Sequence, residues 1–395
     1  MNVILYDDPS IRIQLLPLTF TRPVALIRVG IQTIAEKWEG FLKVTASFAT
    51  PTYLATKYAS KFTEDNLWIN GALCPDAALV NVIQSLKPGD AVRKGSRILA
   101  VRTPDDEVPE VITGTVHEYD GDIVLIDQLW KIFQCNGQQI RSDFERITKG
   151  RTSKTINDKH TVIYHPENVF VEEGVITKAA ILNAESGPIY LGKNSQVQEG
   201  AVIRGPFAIG EESVINMGGK MRGDTTIGPF CKVGGEISNA VVFGYSNKGH
   251  DGFLGNSVLG EWCNLGADTN VSNLKNNYDK VKLWSYATNS FIKTDAQFCG
   301  LIMGDHSKCG INTMFNTGTV VGVSANVFGD GYPRNFVPSY SWGGAAGFST
   351  YQFDKATETA ERVLGRRNLA LSDVDRSILK SVFELTATYR VWDKK

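Results

Sequence analysis

Several things are scarce in this chain. Its 395 residues hold no apolar run approaching the roughly 20 needed to cross a bilayer. No Cys-x-x-Cys pair occurs among Cys74, Cys135, Cys231, Cys263, Cys299 and Cys309, so free buried thiols are expected rather than bridges or a zinc cluster. Neither sign of charge is in excess: 41 Lys and Arg face 42 Asp and Glu, a formal charge of −1. That balance gives no electrostatic reason to expect nucleic acid or an anionic membrane as partner. The opening MNVILYDDPS places acids where a secretory signal needs bases, and a cytoplasmic location is expected. Histidine is rare too. Of the 5, only His250 and His306 fall in the repeats described below, too far apart in sequence for a closely spaced zinc triad.

What is plentiful is glycine, 38 residues concentrated after position 187, a density that points to tight turns. Residues 1–148 read as a mixed α/β domain. Strands are expected at 3–6, 67–69, 98–101 and 123–126, and helices at 31–38 and 75–86, the latter stopped by Lys87-Pro88-Gly89-Asp90. The polar stretch 149–158 has the composition of a linker.

Beyond it the texture changes. Val169, Val175 and Ile181 are six apart, and a stricter series follows: Leu191, Val197, Ile203, Ile209, Ile215, Met221, Ile227 and Val233. After a break come Leu254, Leu259, Leu265 and Val271, and then Met303, Cys309, Phe315, Val321 and Val327. A period of six fits neither a helix nor simple strand alternation. It fits a triangular coil with one apolar side chain per flat face, so residues 160–335 are expected to form a left-handed parallel β-helix. Residues 350–395 read as C-terminal helices, one from about 354 to 364 and a second capped by Ser372, with Ile378, Leu379, Val382 and Phe383 on one face.

The break between Val233 and Leu254 is rich in glycine and carries His250, so it reads as a loop departing from the repeat. A rigid scaffold commonly places catalytic side chains on such loops. Histidine, with an unperturbed pKa near 6.5, suits proton transfer from an amine or hydroxyl near neutrality.

The run Tyr245-Ser-Asn-Lys-Gly-His250-Asp-Gly-Phe-Leu-Gly255, continuing to Asn264-Leu-Gly-Ala-Asp-Thr-Asn-Val-Ser-Asn273, resembles the bifunctional uridyltransferase/glucosamine-1-phosphate N-acetyltransferase family, and is nearest to its alternative bacterial form. The resemblance implies acetyl-CoA as acyl donor and an amino-sugar phosphate as acceptor. It implies His250 as general base, Asn264 against the acceptor sugar and Asn273 beside the acetyl group. A backbone NH near Ala267 would serve the donor and the developing oxyanion. It also implies a phosphate-binding cation, Arg222 or its rival Lys220, with Lys280 in a second phosphate role, and a homotrimer with sites between subunits. There are departures. Phe253 replaces the family's tyrosine, Ser238 stands where a phosphate-binding lysine is usual, and residues 281–302 look like an insertion.

The first domain resembles the nucleotidyltransferase half of the same family through Pro17-Leu-Thr19, Arg22-Pro23 and Gly30. Its glycine loop is replaced by Asp7-Asp8-Pro9, and Asn70-Gly71-Ala72 lacks the metal-binding aspartate, so this half reads as degenerate. Arg12 and Arg22 remain as a weak nucleotide-like site, and magnesium belongs there only if the domain is active. Three rival readings stay open: an active bifunctional enzyme, a sugar O-acyltransferase and a non-enzymatic β-helix scaffold.

Overall fold

The computed structural model describes residues 2–393. It divides into two units. The first takes in residues up to Leu15, Thr21–Ile27 and Gln32–Gln128, and the second Leu16–Phe20, Arg28–Ile31 and everything from Leu129.

The first unit is built on a six-stranded mixed sheet. Asn2–Tyr6, an apolar run buried at its centre, pairs in parallel with Ser47–Ala49 on one side and with Asn66–Asn70 on the other. Arg97–Thr103 then adds antiparallel to Asn66–Asn70. The expected helices are present at Ile34–Leu42 and Ala77–Gln84. The first starts later than residue 31 because Thr33 is its N-cap: Thr33 and Glu36 form a reciprocal capping box.

In the second unit, short strands stack into long sheets of nine, ten and six members, parallel except for the last strand of the ten, Gly347–Thr350, which pairs antiparallel; the sheet of six is continued by the pair Asn270–Val271 and Met314–Phe315. This is the parallel β-helix that the six-residue spacing predicts. On one face Val171, Leu191, Ile209, Ile227, Val242, Leu259, Met303, Val321 and Val337 sit in register, one per coil. All belong to one continuous buried cluster. Burying an aliphatic side chain of this size contributes about 1.5–3 kcal/mol, so the stacked rows are the main source of stability.

Four details differ from the sequence reading. Ile181 is not inward: Leu182 fills the core opposite Ile203 while Ile181 is 38% exposed, so the strict series starts only after this coil. The stretch from Val233 to Leu254 does not leave the coil. Ile237, Val242 and Lys248 continue the rows, at steps of four, five and six residues, so shortened corners hid the register. Many glycines serve close approach rather than positive φ. At Gly266, for example, an added Cβ would lie 2.4 Å from the backbone of Gly310 on the next coil. Left-handed backbone is shared between glycines such as Gly218 and Gly252 and other residues, among them Phe230, Tyr245, Trp262 and His306. Their rings stack in sequence, at 4.9, 4.2 and 6.3 Å between centroids, and this contact offsets the backbone cost of that conformation.

The helices Leu129–Gln134 and Asn136–Thr148, read with the first domain in the sequence, cluster with the second unit. Asn136 explains part of this: its amide donates to the Asp224 carbonyl and to Thr226 Oγ1 of the β-helix. The linker-like stretch is docked as well, with the Lys154 NH bonded to the Val171 carbonyl. Residues within 281–302 form an antiparallel hairpin, Lys282–Ser285 with Ser290–Lys293, that leaves the coil. The C-terminal helices are Phe353–Gly365 and Asp373–Leu385, the second capped by Ser372, which accepts from the Asp375 NH. The Tyr340 hydroxyl donates to the Leu379 carbonyl at 2.8 Å, fastening the second helix to a late coil.

Candidate functional site

His250 stands at the corner between the strands Asn247–Lys248 and Phe253–Gly255. Its side chain is exposed, but its backbone is held from below. The Gly249 carbonyl accepts from Asn216 Nδ2 at 2.7 Å. The carbonyls of His250 and Asp251 both accept from Lys248 Nζ, at 2.8 and 3.0 Å. The corner ends at Gly252, whose φ of +108° and whose 2.1 Å gap between an imagined Cβ and the Thr269 carbonyl oxygen leave room for glycine alone.

One face of the β-helix places Lys232, Asn247, Asn264 and Lys308 at successive outward positions. Beside this row lies a cavity of about 840 Å³, lined by His250, Asn264 and Ala267 together with Lys232, Asn247 and Lys308. Val363, Arg366 and Arg367, from the end of the helix Phe353–Gly365 and just beyond it, close another side. The C-terminal end of this helix therefore lies along the coil. Lys308 Nζ donates to the His306 carbonyl, and burial pushes its pKa down. Lys232, Arg366 and Arg367 have no carboxylate partner among the described residues.

Of the residues singled out in the sequence, this cavity gathers His250, Asn264 and Ala267. Four lie elsewhere. Asn273 donates to Asn256 Oδ1 at 2.7 Å. Lys220 occupies an outward position on another face, in a row with Glu236 and Phe253. Arg222 pairs with Glu236 at 3.3 Å, and Lys280 with Asp295 at 3.3 Å. For Arg366 and Arg367, more than 100 residues along the chain from His250, the sequence gives no signal of their approach. Lys248 carries no apolar side chain, so the apolar repeat does not mark it.

In the first unit the loop after the first strand is closed in on itself. The Asp7 side chain is buried and accepts from the Val24 NH, Thr50 Oγ1 and Arg12 Nη1 at 2.6–2.7 Å. Burial pushes its carboxyl pKa up, against the opposing pull of Arg12. Arg12 and Arg22 are both buried, 8% and 4% exposed, and Arg12 also reaches the Arg22 carbonyl and the Tyr53 hydroxyl. These residues do not suit a resident magnesium ion. The Asp7 carboxylate is already engaged, and a neutral Asn70 ends the strand where a second carboxylate would be needed.

Residues 3–152 match the sugar nucleotidyl transferase family. The chain is 30% identical over 87 residues to the bifunctional protein GlmU of Methanococcus aeolicus, which covers 22% of this chain and 20% of that one. It is 34% identical over 148 residues to YaiX of Escherichia coli, described as a putative uncharacterized acetyltransferase, covering 37% of this chain and 64% of YaiX. The chain thus spans less than two thirds of the length of these relatives. Among solved structures it is similar to the polySia-specific acetyltransferase NeuO, with 12% identity, a TM-score of 0.28, and 54% and 97% of the two chains covered. An Arabidopsis UDP-N-acetylglucosamine acyltransferase gives 13%, 0.25, and 60% and 94%. The sequence matches thus tie residues 3–152 to the sugar nucleotidyl transferase family and make parts of the chain similar to GlmU and to the acetyltransferase YaiX.

Proposed function

We propose that the β-helix transfers an acetyl group from acetyl-CoA to the amine of an amino-sugar phosphate, glucosamine-1-phosphate being the first candidate. The observation that carries this reading is the exposed His250, held at a pinned corner beside a cavity it shares with Asn264 and Ala267. The sugar amine attacks the thioester carbonyl carbon and gives a proton to the His250 imidazole, the carbon–sulfur bond breaks, and the imidazolium returns the proton to the departing CoA thiolate. The Ala267 NH faces the oxyanion or the donor. Asn264 contacts the acceptor. The uncompensated Lys232, Arg366 and Arg367 favour phosphate-bearing ligands in this cavity.

A homotrimer completes the reading. Arg222, Lys220, Lys280 and Asn273 lie off the cavity of their own chain, and a threefold arrangement brings such residues from a neighbour. Arg222 or Lys220 then binds the acceptor phosphate, Lys280 assists, and Asn273 sits by the acetyl group. The first unit binds a sugar phosphate or nucleotide near Arg12 and Arg22 without efficient turnover. Such a protein belongs in the cytoplasm, in UDP-N-acetylglucosamine synthesis. The test is thiol release from acetyl-CoA with a panel of amino-sugar phosphates. Release with glucosamine-1-phosphate supports the reading, and no release with any amine acceptor refutes it.

A further inference from the structure

The inward row on the His250 side of the coil runs Thr177, Val197, Ile215, Val233, Lys248, Leu265, Cys309 and Val327. Seven members are apolar or small and neutral; one is a lysine, 1% exposed. Counting six back from Leu254 also lands on this lysine, so it stands where the repeat calls for an aliphatic side chain. An ammonium group inside a dry coil is costly, and a well-packed apolar residue in its place is commonly neutral or stabilising. Burial accordingly pushes the Lys248 pKa down to about 8. A position that gives up stability against an otherwise consistent pattern marks a functional requirement.

The contacts say what that requirement is. Nζ donates to three backbone carbonyls, those of His250 at 2.8 Å, Asp251 at 3.0 Å and Gly234 at 3.5 Å. Two belong to the His250 corner, and the third lies on the preceding coil. Lys248 itself is not in the cavity lining: it faces the inside of the coil, whereas His250 is exposed and lines the cavity. We propose that Lys248 is a positioning residue, an internal clasp that ties the His250 corner to the coil beneath it and so sets the direction in which the imidazole projects. Asn216, holding the Gly249 carbonyl, secures the preceding peptide, so three consecutive carbonyls have fixed partners. The clasp orients the proposed base without taking part in the reaction, and its catalytic consequence rests on the acetyl-transfer reading above.

The experiment compares the full-length protein with Lys248→Met, which keeps an unbranched side chain one atom shorter and removes the donors, and with Lys248→Gln, which keeps a shorter, neutral amide donor group. Three quantities are measured: hydrogen exchange of the amides at 249–253, the melting temperature, and kcat and KM for acetyl transfer. For Lys248→Met the clasp predicts exchange at least tenfold faster, an unchanged or higher melting temperature, and kcat lowered 10- to 100-fold with the donor KM within twofold. Lys248→Gln falls between. Unchanged exchange together with unchanged kcat overturns the proposal. A fall in melting temperature and kcat together, with exchange raised throughout the β-helix, makes Lys248 a plain structural residue and overturns it equally. If the wild-type protein transfers acetyl to no acceptor, the acetyl-transfer reading fails, while the exchange measurement still decides the clasp.

Discussion

Lys248 Nζ lies 2.8 Å from the carbonyl oxygen of His250, so the side chain proposed to move a proton outside the coil has its backbone held by a charge inside it. That charge makes stability depend on pH in a defined direction. The ordinary lysine value of 10.5 falls to about 8 in the folded protein, chiefly through burial, with Asp251, Cys309 and Asp268 as the facing groups that oppose the fall. Below pH 8 both folded and unfolded chains are protonated here, and the full cost of burying the ammonium is present. Between about 8 and 10.5 the folded chain sheds the proton first, the unfolded chain binds more protons, and stability rises with pH. Chemical denaturation of wild type and Lys248→Met should therefore show the largest advantage for the variant below pH 8 and a shrinking one toward pH 10.5. An advantage that grows with pH contradicts the assignment.

Gly252→Ala should be among the most damaging single-methyl changes in the β-helix. It combines a φ of +108° with a Cβ placed 2.1 Å from the Thr269 carbonyl oxygen, on a backbone that cannot shift without breaking the coil. We expect a loss of more than about 2 kcal/mol, seen as a lower melting temperature or insoluble protein. Gly365→Ala, at a helix end with nothing within 4 Å, serves as the control and should be neutral or slightly stabilising.

The proposed trimer has a direct signature. Light scattering at micromolar concentration should give three times the chain mass of 43.4 kDa. Substituting Arg222 should lower activity although it lies off the His250 cavity of its own chain. A monomer mass with full acetyl transfer refutes this part of the account.

The first unit should release little or no pyrophosphate from UTP, magnesium and N-acetylglucosamine-1-phosphate. Asp7 is committed to Val24, Thr50 and Arg12, and Arg12 is itself buried against Asp7 and Tyr53. The assay uses the full chain. Robust magnesium-dependent release, lost on Arg12→Ala or Arg22→Ala, would make the protein bifunctional.

The β-helix was legible because one side chain per face must be buried, and that demand writes a period of six into the residues from Leu191 to Val233. The reading failed where geometry relaxed the demand. Corners shortened to four and five residues concealed Ile237 and Val242, and an ammonium satisfied by carbonyls stood in for an aliphatic at Lys248. His250 stood out through a supposed loop that the coil does not have, and Asn264 through the family resemblance alone; the structure brings both to one cavity. Arg366 and Arg367 could not be found, since their approach depends on a helix folding back over the coil, which no local pattern encodes.

The central claim is that His250 takes the proton in acetyl transfer, and the decisive measurement is thiol release from acetyl-CoA by wild type and His250→Ala. The residue is exposed, and its backbone is secured by Lys248 whatever side chain it carries, so the variant should fold with an unchanged melting temperature. With glucosamine-1-phosphate as acceptor, kcat should fall by about 10² to 10⁴-fold. A folded variant that keeps more than about a tenth of the wild-type rate contradicts the account.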